Sequence, residues 1–249
     1  MPRPFLPMLS PADAFPQAIW GPDTPAPGLL AAGGALDVDS LKRAYAQGIF
    51  PWFNAQQPIL WWSPDPRMVL HVAQFRLHRS LKQHLRKWLA NPDGAVRIDT
   101  AFEEVIRRCA GTPRKGHSGT WIVPSMVDAY TRLHRQGFAH SVEVWLGERL
   151  IAGLYCVALG RAVFGESMFT SQANGSKVAL AALVALCRAQ GVAMVDCQQQ
   201  TGHMASLGAS PIDRCAFLQH LRESTAQPPL QWEFSPLYWQ HILPGAHHD

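Results

Sequence analysis

Residues 163–198 read VFGESMFTSQANGSKVALAALVALCRAQGVAMVDCQ, and this stretch decides the fold. It opens as an apolar strand over residues 163–169, crosses a polar loop at 170–177 and continues as a strongly apolar helix at 178–187. It closes on a second strand at 193–198. Strand, loop, helix, strand is a βαβ pattern, which sets the two strands parallel. In such units the carboxyl ends of neighbouring strands lie side by side, and sites are built there. Phe164, Glu166 and Met168 alternate and are expected to share one strand face. A glutamate between two bulky apolar residues is costly to bury unless it is paired or working. A structural ion pair is the competing explanation, since such networks also perturb carboxylates. The pattern predicts that Glu166 and Asp196 flank one cleft, with Gln198 on the same strand face as Asp196.

Working outward, residues 141–146, 149–159 and 161–169 read as strands joined at Gly147-Glu148 and Gly160. Turns this tight predict antiparallel pairing. Together with the βαβ unit they give an α+β fold, a mixed sheet with helices. Helical patterns are expected at 39–47, 75–90, 98–110, 124–136 and 213–222. Residues 1–66 hold twelve of the twenty prolines and four of the nine tryptophans, so little regular structure is expected there beyond the helix at 39–47. Most of its large rings are read as a local apolar core, although Tyr45 and Trp52 are candidates for presenting a flat face to a base or ribose.

The helix expected at 75–90 repeats Leu77, Leu81, Leu85 and Trp88 on one side and carries Arg76, Arg79, Lys82, Arg86 and Lys87 on the others. No acidic residue occurs between Pro66 and Pro92. Solvated faces normally mix charge signs, so an unmixed basic helix points to an anion, and nucleic-acid phosphate is the commonest such partner. The total charge of +4 is mild, and 47% hydrophobic residues suffice for a core. The five cysteines are odd in number and form no C-x-x-C pair, which suits reduced, cytoplasmic thiols. No histidine spacing matches a metal site, so no metal and no cofactor are expected. No signal peptide is expected, and no run approaches the ~18 apolar residues of a membrane span.

One family matches these residues in order. Residues 28–34 (GLLAAGG), 45–53 (YAQGIFPWF), 58–67 (PILWWSPDPR), 119–122 (GTWI), 140–145 (HSVEVW), 153–155 (GLY), 165–169 (GESMF), 196–198 (DCQ) and 205–209 (ASLGA) resemble the bacterial leucyl/phenylalanyl-tRNA–protein transferases. Ala35, Ser171 and Gly175 depart from residues common in that family. The resemblance implies an enzyme that moves leucine or phenylalanine from Leu-tRNA or Phe-tRNA to the α-amine of proteins beginning with Arg or Lys, marking them for N-end rule degradation. It implies a small N-terminal domain (1–66) and a GCN5-related acetyltransferase-like domain (67–249), and a monomer is expected. The basic residues near 75–90 correspond to a tRNA-contacting surface. Glu166, Asp196 and Gln198 match the proposed catalytic and substrate-positioning groups. Tyr45, Trp52, Trp121, Tyr130, Leu154, Val163, Gly165 and Met168 match positions around the aminoacyl-adenosine, with Trp52 and Trp121 candidates for stacking on the terminal adenine.

The chemistry implied is modest in its demands. An aminoacyl ester is already activated, and an α-amine of pKa about 7.7–8.0 is partly neutral near pH 7. Holding the two together can supply ~7–11 kcal/mol of the barrier. What remains is an acceptor for the amine proton and a donor toward the carbonyl oxygen. On this reading Asp196, oriented by Gln198, relays the proton, and Glu166 positions the aminoacyl end. Attraction of the acceptor's cationic first residue by both carboxylates is the competing role. Two other functions are weighed. An acyl-CoA-dependent N-acetyltransferase would need a phosphate-cradling Q/R-x-x-G-x-G/A loop entering a helix, and Arg188 to Ala193 has that spacing only between a helix and a strand. A non-catalytic RNA-binding module would leave Glu166 and Asp196 without a role.

Overall fold

The computed structural model describes residues 5–17, 19–112 and 122–243. Two sheets organise them. The smaller is built from β1 (Met8–Leu9), β2 (Leu29–Gly33), β3 (Phe50–Pro51) and β4 (Leu60–Trp62), in the order β1-β2-β4-β3, with α1 (Val38–Ala46) between β2 and β3. The Pro- and Trp-rich region therefore holds more regular structure than its composition predicts. Its strands are two to five residues long, too short to leave a periodic signal. α1 is capped by Asp37, whose carboxylate accepts from the Ser40 N–H at 2.7 Å.

The larger sheet contains β5 (Arg67–His71), β6 (Gly94–Ile98), β7 (Ala139–Leu146), β8 (Arg149–Leu159), β9 (Ala162–Thr170), β10 (Met194–Gln198) and β11 (Ser210–Ile212). Their order is β11-β5-β10-β9-β8-β7-β6, and among the described residues only β9 and β10 run parallel within it. The α+β expectation holds, as do the hairpins, which turn at Gly147 and Gly160 with positive φ. The remaining helices are α2 (Arg79–Leu89), α3 (Phe102–Ala110), α4 (Pro124–Arg135), α5 (Gly175–Ala189), α6 (Gly202–Ser206) and α7 (Arg214–Thr225). None is long and apolar enough to cross a membrane.

The sheet is buried on both faces. Tyr155, Val157, Phe164 and Phe169 join one core with α1, α3, α4 and α7. Leu154, Cys156, Val163 and Val195 join the other with α2 and α5. Two boundaries differ from the periodicity. The basic helix begins at Arg79, so Arg76 precedes it, its N–H held by the Leu207 carbonyl at 2.9 Å. The helix expected from 98 begins at Phe102, after a strand that the pattern did not separate from it. Its cap comes from another strand. The buried Glu143 carboxylate of β7 accepts from Ala101 N and Ser141 Oγ at 2.7 Å, from Trp145 Nε1 at 3.0 Å and from Thr100 Oγ1. The quoted motif at 140–145 is thus the anchor of α3.

Candidate active site

β9 and β10 are paired for only a short distance. Val195 faces Val163 and Asp196 faces Phe164. Beyond that point β9 continues against β8, while β10 stays with β5. The sheet therefore forks between Gly165-Glu166 and Cys197-Gln198. At the fork both strands are irregular. On β9, Cys156 of β8 pairs with Gly165 and Tyr155 with Ser167, leaving Glu166 as the extra residue of a bulge. On β10 the ladder slips between Asp196 and Gln198, and Gln198 takes a positive φ of 54°.

The bulge corrects one expectation. An inserted residue reverses the alternation beyond it. Phe164 and Phe169 face the α3 core, whereas Met168, opposite Leu154, packs on the α5 core. Phe164 and Met168 do not share a face. Glu166 turns toward the Phe164 side, where the side chains of α1 and α4 meet it. Tyr45 of α1 donates to Glu166 Oε1 at 2.6 Å, and the Tyr130 hydroxyl of α4, hydrogen-bonded to the Tyr45 oxygen, lies 3.5 Å from Oε2. Gln198 Nε2 approaches Oε1 at 3.5 Å. Burial pushes the Glu166 carboxyl from its ordinary 4.5 up to about 8, against the pull of the Tyr45 hydrogen bond, with the Asp196 charge adding to the rise. Burial, then the Glu166 charge, holds both phenols well above their usual range, so they stay protonated donors.

Asp196 sits in a different setting. Its carboxylate is 2% exposed and is gripped by the wholly buried Arg67, Nε to Oδ1 at 2.8 Å and Nη2 to Oδ2 at 2.7 Å. The guanidinium also donates from Nη1 to the Gly48 carbonyl at 3.0 Å and lies over the rings of Phe50 and Phe217, 4.9 and 4.6 Å from their centroids. Asp196 Oδ1 further accepts from the Gln198 N–H at 3.0 Å. Gln198 therefore links the two carboxyls, its backbone to Asp196 and its amide to Glu166. Arg67 had no role in the sequence reading. Its signal was an arginine opening the apolar strand Met68-Val69-Leu70, a charge that must find a partner if the strand is central.

The other candidates divide between the two faces. Tyr45 is 0% exposed and packed on Phe164 at 4.9 Å, so it has no open face for a base, correcting that reading. Trp52 is half-buried, edge-on to Trp62 at 5.4 Å. Leu154 and Val163 are buried on the α5 side, Met168 is half-buried beside them, and Tyr130 lies across the sheet from all three. Gly165 is at the fork. Trp121 and the basic loop at 113–119 lie outside the described residues. On α2, Arg79, Arg86 and Lys87 are exposed and Lys82 half-exposed, and Arg76 is exposed just ahead of them. Cys197, next to Asp196, has its thiol held far above the ordinary range by burial, so it is no nucleophile. Among the described residues no group of three or more His, Cys, Asp or Glu could hold a metal ion.

Residues 69–222 match the family described as Leucyl/phenylalanyl-tRNA protein transferase, and residues 34–65 match its N-terminal domain. Proteins named leucyl/phenylalanyl-tRNA–protein transferase are similar throughout. That of Polaromonas sp. is 57% identical over 98% of this chain and 96% of its own, and that of Albidiferax ferrireducens 56% identical over 96% and 95%. That of Leptothrix cholodnii is 53% identical over 96% and 94%. The crystal structure of FemX is a remote neighbour, 11% identical with a TM-score of 0.43 over 70% of this chain and 66% of its own. With more than half of its residues matched and relatives this similar over nearly their whole length, the chain belongs to the leucyl/phenylalanyl-tRNA protein transferase family.

Proposed function

We propose that this aminoacyltransferase moves a leucyl or phenylalanyl group from the 3′ end of its tRNA to the α-amine of proteins that begin with Arg or Lys, and that the bond exchange takes place at the sheet fork. The observation that carries the reading is the Glu166 carboxyl, which burial raises to about 8 at the fork, where two phenols and the Gln198 amide approach its oxygens. A general base works best when its pKa lies near the operating pH. The amine nitrogen attacks the ester carbonyl carbon, Glu166 takes the proton released from nitrogen, and the ribose oxygen leaves as the C–O bond breaks. Glu166 then returns the proton to that oxygen.

This exchanges the roles expected from sequence. Asp196 suits relay chemistry poorly, because both of its oxygens are occupied by Arg67 and one also by the Gln198 N–H. The aminoacyl side chain is read on the α5 side of the fork, where Met168 is the adaptable wall over Leu154 and Val163. The test is incubation with labelled Leu-tRNA and an Arg-starting peptide, with a Met-starting peptide as control. Label moving to the Arg peptide alone is expected, and its absence would remove the reading.

The tRNA body is proposed to rest on the basic surface of Arg76, Arg79, Lys82, Arg86 and Lys87. Replacing any one of them by Ala should weaken Leu-tRNA and Phe-tRNA alike and make the log K against log salt slope shallower by roughly 0.7–0.9. Turnover of a minimal aminoacyl-adenosine should not change. A slope that stays constant across the series would exclude the surface.

A further inference from the structure

Arg67 is an expensive residue to keep where it is. It is wholly buried, spends all three nitrogen positions on Asp196 and the Gly48 carbonyl, and is enclosed by the rings of Phe50 and Phe217. A buried ion pair is commonly no more stable than well-packed apolar side chains of the same volume. Stability alone therefore does not explain it. What the pair accomplishes is visible two residues further along. Gln198 has a φ of 54°, in the left-handed region that a side chain with a Cβ disfavours. Such a conformation persists only where its surroundings over-determine it. Here the restraint is the Gln198 N–H donating to Asp196 Oδ1, at the point where the β10 ladder slips. Asp196 can hold that N–H because Arg67 fixes the carboxylate from the other side.

We infer that Arg67 is a positioning residue for the transfer reaction: through Asp196 it holds the backbone of Gln198 so that the Gln198 amide reaches Glu166 at the fork. The inference rests on the proposed function for its catalytic consequence, but the geometric step stands without it. The residues come from three distant parts of the chain. Arg67 opens β5, Asp196 and Gln198 end β10, and Glu166 is the bulge of β9. The carbonyl of Gly48, directly after α1, ties the same guanidinium to the segment that also delivers Tyr45. One arginine thus registers both groups that donate to Glu166 Oε1, the Tyr45 phenol and the Gln198 amide.

The test replaces the ion pair by an apolar one, Arg67→Met with Asp196→Leu, and compares it with Gln198→Ala. The side-chain amide resonances of Gln198, assigned by their loss in Gln198→Ala, are followed in labelled protein, a readout that needs no transfer activity. In the folded double variant they are expected to move to the position of a solvated glutamine. The kcat for transfer is expected to fall at least tenfold, with KM for Leu-tRNA within about twofold of wild type. Adding Gln198→Ala should then cost nothing more, since coupled sites are not additive. Unmoved amide resonances, or a kcat within about threefold of wild type, would reduce Arg67 to a packing role. If the double variant fails to fold, Arg67→Lys takes its place. It keeps the charge but loses the two-point grip, and independent multiplication of its effect with that of Gln198→Ala would overturn the inference. Absence of transfer in the wild-type protein would count against the proposed reaction, while the amide resonances would still decide the positioning step.

Discussion

Glu166→Gln is expected to lower kcat/KM for transfer by about 10²–10⁴, the range of the positioned general base proposed for it, and to make the protein more stable. The two effects share one cause. In the unfolded chain the carboxyl ionises at its ordinary 4.5, and in the folded protein burial holds it near 8. Between those values the folded state binds the extra proton, so stability falls as pH rises, by about 1.4 kcal/mol per unit at most. It is highest below 4.5 and is lost through 8. Glutamine has no proton to lose, so the gain of the variant over wild type grows across that window, to on the order of 3–4 kcal/mol near pH 8. Denaturant unfolding at pH 5 and pH 8 measures it. On the kinetic side, the wild-type rate should climb through about pH 8. The amine of the acceptor titrates close by, so the variant should keep that limb and lose only the one due to Glu166. A variant equally stable at both pH values, relative to wild type, would refute the buried-carboxyl assignment.

Asp196→Ala is expected to lose much of its stability whatever it does to the chemistry. It strands the Arg67 guanidinium, which is 0% exposed, and breaking a buried pair from one side costs about 3–5 kcal/mol. For a chain of this size that lowers the thermal midpoint by roughly 6–20 °C. Inactivity of Asp196→Ala would therefore say nothing about a proton relay. Asp196→Asn is milder, because the amide oxygen still accepts from Arg67 while its nitrogen cannot. A midpoint for Asp196→Ala within about 2 °C of wild type would contradict the burial and pairing described here.

Much of this was legible. The apolar helix between two short apolar strands, the Gly-marked hairpins and the helix near 39–47 follow from periodicity and turn chemistry, which act over a few residues. The ordered short motifs carried the family. Several of them now have physical roles: the Arg of the motif at 58–67 grips Asp196, the Gly48 carbonyl receives it, and Glu143 caps α3. The misread boundary at 98–102 has a plain reason. The cap of α3 is donated from β7, forty residues away, and leaves no local mark.

By itself the sequence determined the parallel pair and the carboxylate at its end, because these depend on residue type and short-range order, and its ordered motifs carried the resemblance that implies the reaction class. Only the tertiary structure decided what surrounds that carboxylate. Whether Glu166 continues the strand alternation or breaks it depends on its register with β8, and the bulge sends Phe164 and Met168 to opposite cores. Whether Asp196 is a base or a buried anchor depends on Arg67, 129 residues earlier. The pKa of Glu166 is set mainly by its burial and by Tyr45, which arrives from another helix. Pairing, register and desolvation are properties of the closed chain, and they fix the surroundings of both carboxyls that composition leaves open.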